Sequence, residues 1–400
     1  MPEAVIVATG RTPIGRAMKG SLVDCRPDDL AALVVKEVLA KVPQLDPSLV
    51  EDVILGCGQP AGEAGYNIGR VAALLAGVDV PGVTVNRYCS SSLQTIRMAA
   101  HAVKAGEGDV FVAAGVETVS RFGHGASDVG PHNPVFAEAE ARTAARGPAM
   151  TEPWTPPAGY SDIYIAMGQT AENVAEYENV GREEMDEFAA LSQNRAVESQ
   201  KNGFFEREII PVTLPGGTVV KKDDGPRPDT TVEGLSALKP VFREGGKITA
   251  GNACPLNDGA AAVVVMSDTK ATELGITPLA RIVASGVSAL DPEIMGLGPI
   301  EACRQALGRA GMTIDDIDLV EINEAFAAQV IPSAKHLGIP WDKLNVKGGS
   351  IALGHPFGMT GARIMTTLLN ALEDEDKRFG MESMCVGGGQ GMAMIVERLG

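Results

Sequence analysis

Short runs of consecutive apolar residues alternate with amphipathic stretches along most of the chain. The runs Ala4–Ala8, Asp52–Leu55, Val83–Val85, Val110–Ala114, Ala260–Met266, Leu319–Ile322 and Met392–Val396 predict strands buried on both faces. Between them, Asp28–Val42 and Pro299–Ala310 place apolar residues at helical spacing. A further helix is expected from about Ser92 to Lys104, with Ser90, Ser91 and Ser92 as caps at its start and Gly106 closing it. Strands alternating with helices predict α/β layers.

The two ends of the chain repeat one order of elements. Helix 28–42 leads through Asp46-Pro-Ser into the strand Val50–Leu55. Helix 299–310 leads through Thr313-Ile-Asp-Asp into Ile317–Ile322. Thr84-Val-Asn86, a turn and a long helix match Leu344-Asn345-Val, a turn and a long helix. Val112-Ala-Ala-Gly115 matches Cys385-Val-Gly-Gly388. Three matches in order predict two homologous halves. The middle departs from this pattern. Residues 121–159 are rich in Gly, Pro, Ala and His with little periodicity, 170–199 are helical, and 211–247 are loop-like. The expected organisation is an N-terminal half from 1–120 plus 248–270, an inserted loop domain at 121–247, and a C-terminal half at 271–400.

Of the 400 residues, 45% are hydrophobic and 21% charged, which excludes a disordered chain. Aromatics are 4% and glycines number 47, so the layers must pack aliphatic side chains with many tight turns. A net charge of −17 argues against nucleic acid or an anionic membrane as partner. Residues 201–250 hold eight basic and seven acidic side chains, leaving room for a local phosphate site. No apolar run approaches the ~20 residues of a membrane span, and neither end carries an address signal, so a cytoplasmic protein is expected. The six cysteines form no CxxC pair, which fits reduced thiols and neither a disulfide frame nor a zinc site.

Four places could carry chemistry. Cys89 follows a strand and precedes a helix, where the macrodipole favours a thiolate; an inert buried thiol is the other reading. His355, held between Gly354, Pro356 and Gly358, suits a general base, or a structural histidine bonded to loop carbonyls. Cys385 precedes Gly387-Gly-Gly389, whose bare backbone N–H groups suit an oxyanion hole. Asn323-Glu-Ala-Phe326 ends a strand, where polar residues line α/β ligand crevices, or where Asn323 caps a helix.

Taken together, Asn86-Arg-Tyr-Cys89-Ser-Ser-Ser, Asn323-Glu-Ala-Phe326, Gly354-His355-Pro356-x-Gly358 and Cys385-x-Gly387-Gly388-Gly389 resemble the active-site motifs of thiolases. Arg11-Thr-Pro-Ile-Gly15 and Gly251-Asn-Ala-Cys-Pro-Leu-Asn-Asp-Gly-Ala260 are similar to further family stretches, so the resemblance spans the chain in order. It implies two βαβαβαββ halves, each with a five-stranded sheet, in an α/β/α/β/α layered core with a loop domain. It implies thiolytic cleavage of a 3-ketoacyl-CoA or the reverse Claisen condensation, with coenzyme A as substrate and no permanently bound cofactor or metal. A homodimer or homotetramer follows from the same resemblance.

By matching position, Cys89 is the acyl acceptor, His355 its base and Cys385 the second acid/base. Asn323 holds a water that forms one oxyanion hole with His355, and the N–H groups of Cys89 and Gly387 form the other. Arg227, Met167, Ala250, Cys254, Met295 and Phe326 are the implied substrate contacts, with Arg227, and Lys221 and Lys222 nearby, facing the nucleotide phosphates. Departures bear on the acyl group. Ala166 stands where many short-chain members carry histidine, and Cys254-Pro255 where they carry Ser-Gly. Phe357 and Met359 replace smaller residues, and the loop at 121–160 is long. These lean towards acyl chains beyond four carbons. A ketoacyl-synthase-like condensing enzyme is the rival within the fold, but such enzymes pair the cysteine with two histidines. A non-catalytic acyl-CoA-binding protein is a second rival. A dinucleotide enzyme is a third, and it lacks a placed glycine fingerprint.

Overall fold

The computed structural model describes residues 2–146 and 153–400. Nine strands carry the fold: β1 (Ala4–Arg11), β2 (Asp52–Gly56), β3 (Gly82–Val85), β4 (Val110–Thr118), β5 (Asn257–Ser267), β6 (Ala280–Ala289), β7 (Leu319–Ile322), β8 (Phe379–Val386) and β9 (Gln390–Arg398). They run in the order β7-β8-β9-β6-β1-β5-β4-β2-β3. The path is two half-sheets, because β1 and β6 meet only through Val5–Arg281 and Ile6–Ala280. In the first half β3, β2 and β4 are parallel, and β5 lies antiparallel between β4 and β1. In the second, β7 and β8 are parallel, and β9 lies antiparallel between β8 and β6. The duplicated order predicted from the chain is the order of the strands.

Helices complete five layers. α1 (Pro27–Ala40) and α2 (Ile68–Leu75) cover the outer face of the first sheet, burying Val34 and Val38 against Val53 and Val264. α3 (Ser91–Ala105) and α8 (Thr360–Asp374) fill the middle, where Leu93, Ile96, Met365 and Leu368 meet Met384, Met392 and Met394. α6 (Gly298–Ala310) and α7 (Ala327–Leu337) cover the second sheet from outside, with Ala302, Ala306 and Val330 against Val320 and Ile395. Aliphatic side chains and methionine thus dominate the three apolar cores between these layers, with few phenylalanines, as the low aromatic content requires.

The structure departs from expectation in four places. The second half lacks a full fifth strand: only Val320 bridges Leu344. Asn345 replaces the ladder there, its side chain accepting from Ile322 N–H and donating to Ile322 C=O, both at 2.9 Å, on a backbone with φ +47°. β6 carries no apolar run, because Arg281, Ser285 and Ser288 interrupt it. Asn179, at φ +52°, splits the long helical stretch into α4 (Met167–Tyr177) and α5 (Arg182–Lys201). A short helix, Ala137–Ala145, forms within the stretch of little periodicity.

Candidate active site

Cys89 lies in one 3-10 turn, Tyr88–Ser90, at the carboxyl end of β3. Tyr88 takes φ +43°, a left-handed conformation costly for a bulky residue, with its N–H held by Asn86 Oδ1 at 2.8 Å. The serines do not cap α3. Ser90 and Ser91 donate back to Arg87 and Tyr88 carbonyls, while Ser92 Oγ accepts from Ala362 N–H of α8 at 2.9 Å. Ser92 therefore ties the helix that follows Cys89 to the other half.

Cys385 lies at the end of β8, opposite Gly391 of β9. The turn between those strands needs Gly388 and Gly389 at φ +77° and +76°. The N–H of Gly387 reaches the Cys89 sulfur; Cys89 lies close enough to oppose ionisation of Cys254 and Cys385, and Cys254 opposes that of Cys385.

The His355 loop enters from the second half. A Cβ on Gly115 of β4 would stand 2.0 Å from the Gly358 carbonyl, so loop and strand touch through backbone alone. One chain of hydrogen bonds fixes the imidazole. Arg363 can only donate, and its Nη2 gives a hydrogen bond to Ser350 Oγ at 3.0 Å. The Ser350 hydroxyl then donates to Asn323 Oδ1 at 2.6 Å, which turns Asn323 Nδ2 to His355 Nε2 at 3.2 Å. On the far side Thr360 Oγ1 donates to Pro356 C=O at 2.8 Å and is left to accept from His355 Nδ1, 2.6 Å away. The ring is thereby held as the Nδ1–H tautomer, with a bare Nε2 beside Asn323.

Burial pushes the Cys89 thiol up to about 11, against the N–H groups of Gly387 and of Cys89 itself, which pull it down. This corrects the expectation of a thiolate stabilised by the helix: loss of water outweighs the dipole at this largely buried sulfur. His355 is driven the other way, to about 3, by burial and then by the Arg363 charge, so it stands neutral and able to accept a proton. Alkylation of Cys89 by iodoacetamide, followed on its own peptide by mass spectrometry, should therefore keep accelerating through about pH 9. A plateau by about pH 7 would show a preformed thiolate.

Sequence reading did not single out Glu117. This buried carboxylate of β4 accepts from the N–H groups of Gly58, Gln59 and Gly358 at 2.8, 3.2 and 2.9 Å, clamping the His355 loop to the first half. Burial raises its carboxyl to about 7. The only signal in the chain was an acid inside an apolar strand.

A cavity of about 410 Å³ opens onto Cys89, walled by Tyr88, Met167, Phe357 and Gly387 among others. Gln59 Oε1 holds the covering loop over it by accepting from Ser127 N–H and Asp128 N–H at 2.9 and 2.7 Å. Of the expected substrate contacts, Met167 lines this cavity and Cys254 borders the thiols. Phe326 packs edge-on to Phe242, 6.0 Å away. Ala250 is exposed, and Met295 is buried in the outer core of the second half, away from this cavity. Arg227 lies exposed with Arg16 as a neighbouring cation; Lys221 and Lys222 are exposed on the same loop. Of the long loop, residues 147–152 lie outside the described residues.

A thiol, a neutral imidazole whose unprotonated Nε2 faces Asn323, a second thiol and aimed backbone N–H groups make a set suited to acyl transfer through a cysteine. The thiolase N-terminal domain model matches residues 4–269 and the thiolase C-terminal domain model residues 276–398, and the chain belongs to the thiolase family. It is 44% identical over 408 residues to a beta-ketoadipyl-CoA thiolase of Escherichia coli, and 42% identical to a 3-ketoacyl-CoA thiolase of Vibrio vulnificus, with 100% of each chain covered. Among solved structures it resembles the acetyl-CoA acetyltransferase of Bacillus anthracis, at TM-score 0.86, 40% identity and coverage of 100% and 99%. It also resembles the dimeric peroxisomal thiolase of Saccharomyces cerevisiae, at TM-score 0.89, 36% identity and coverage of 99% and 97%. The protein is an acyltransferase of CoA thioesters, acting by CoA-dependent thiolytic cleavage or the reverse condensation. No helix among the described residues is long and apolar enough to cross a membrane.

Proposed function

We propose that the chain cleaves 3-ketoacyl-CoA through an acyl-Cys89 intermediate. His355 Nε2 takes the Cys89 proton as the sulfur attacks the 3-keto carbon. The carbon–carbon bond between C2 and C3 breaks, and its electron pair leaves as the acetyl-CoA enolate, which the Cys385 thiol protonates. The thiol of a second coenzyme A then loses its proton to the vacated base and displaces the acyl group, restoring Cys89. Gly387 and Cys89 N–H groups hold one oxyanion; Asn323, through a water shared with His355, holds the other. The observation that carries this reading is the approach of Gly387 N–H and the Cys385 thiol to the Cys89 sulfur. The residues at 121–247 form the loop domain that receives the thioester. A cytoplasmic homodimer or homotetramer, using coenzyme A as substrate without a resident cofactor, accords with this chemistry.

The size of the cavity and the small Ala166 beside Met167 support acyl chains beyond four carbons. Arg227, joined by Arg16, is the proposed contact for the nucleotide phosphates. The test is CoA-dependent loss of 3-ketoacyl-CoA absorbance over a series of chain lengths. Activity should persist or rise past acetoacetyl-CoA; a sharp maximum at acetoacetyl-CoA would overturn the chain-length reading. In the same assay Arg227→Ala should raise the KM for CoA about tenfold with kcat within about twofold. Unchanged CoA kinetics would remove Arg227 from the site.

A further inference from the structure

The covering loop gives the Cys89 cavity a chemistry of its own. Ile163 and Ile165 line it as half-buried and buried apolar groups, and Asp128, Val129, Pro131 and His132 line it from the exposed loop. Asp128 is close enough to Tyr88 for its carboxylate to oppose ionisation of the phenol. His132 is already engaged: its Nδ1 lies 2.8 Å from Glu140 Oε2, and its ring stacks on Tyr164 with centroids 3.8 Å apart. Glu140 thus faces His132, and Asp128 is the carboxylate that lines the cavity. Among the described residues no lysine or arginine lines the cavity, and the stretch Gly147-Pro-Ala-Met-Thr-Glu152 contains none.

From this we infer that the enzyme selects 3-ketoacyl-CoA substrates whose acyl group ends in uncharged hydrocarbon and discriminates against those ending in a carboxylate. The inference rests on Cys89 being the acyl acceptor. A methyl end meets Val129, Pro131, Ile163 and Ile165, and gains from leaving water. A carboxylate end would approach the Asp128 carboxylate, with no lysine or arginine among the described lining residues to receive it. Both effects act in the bound thioester and persist at the reacting geometry, so they lower kcat/KM.

The test compares 3-oxohexanoyl-CoA with 3-oxoadipyl-CoA, which have the same number of acyl carbons and differ in the terminal carboxylate. The expected ratio of kcat/KM is about fivefold in favour of 3-oxohexanoyl-CoA at physiological salt. Asp128→Asn and Val129→Lys should each move the ratio towards 3-oxoadipyl-CoA, the lysine by more. Equal rates, or a preference for 3-oxoadipyl-CoA, would overturn the inference, as would a wild-type preference that neither variant moves. Cleavage of acetoacetyl-CoA with neither longer thioester turned over would overturn this inference alone. No cleavage of any of the three would overturn the thiolysis reading, and this inference with it.

Discussion

Cys89→Ser should lower turnover at least about 10³-fold and leave no acyl adduct on the chain. The wild-type enzyme, mixed with an acyl-CoA and quenched, should gain one acyl mass on the Cys89 peptide. The reason lies in the resting electrostatics. Burial holds Cys89 near 11 and His355 near 3, so the pair rests as thiol and neutral imidazole. The proton must move during attack, when the oxyanion forming on the substrate gains the Gly387 and Cys89 N–H groups. A serine in this pocket would be far less acidic than the thiol, and the imidazole is already a weak base, so both ends of that transfer become harder. An acyl adduct on another residue, with the Cys89 peptide unmodified, would sink the assignment.

Cys385→Ala should split the reaction in two. Breaking or making the carbon–carbon bond should slow by about 10³-fold, within the usual range for loss of a general acid or base. Transfer of a simple acyl group from its CoA ester to Cys89 should survive, because that step needs no enolate. Single-turnover acylation against steady-state thiolysis separates the two. Removing the side chain leaves a small void at the end of β8, where Cys385 is fully buried; circular dichroism and the Cys89 adduct itself report whether the fold holds. A folded variant that cannot be acylated would give Cys385 a different role.

The layers and the duplication were legible in the chain because β1, β4 and β5 are buried on both faces, and such strands must be continuously apolar. β8 was only partly visible, because Glu382 and Ser383 interrupt it; Glu382 stands beside Glu321 of β7 in register, and the Arg363 charge lies near both. A buried cluster of polar side chains reads as surface in any pattern of polar and apolar positions. Cys89, Asn323, His355 and Cys385 were legible through glycines and strand ends that have few other uses. The residues that orient them were not. Ser350, Thr360 and Glu117 act through hydrogen bonds that carry no local sign in the chain, since a single serine, threonine or glutamate has many uses. The thiolate expectation failed because helix position can be read from sequence, whereas enclosure of Cys89 depends on Gly387 and Phe357, which lie in the other half of the chain.

The place of β5 bears on how the chain comes to be folded as it is made. β5 is the inner strand between β1 and β4, yet residues 119–256 separate it from β4. While that length is being synthesised, β1 and β4 have no partner on their facing edges, and both strands are apolar over Ala4–Ala8 and Val110–Val116. Unpaired apolar edges are templates for association with other chains. The nascent protein thus passes through a stage in which the first half is complete except for one inner strand, and closure waits on an apolar segment, Ala260–Met266, that would itself associate readily if left exposed. Shielding by a chaperone at the ribosome, or early docking of α1 and α3 on the open edges, is most needed during that interval, and slow translation through residues 119–256 would lengthen it.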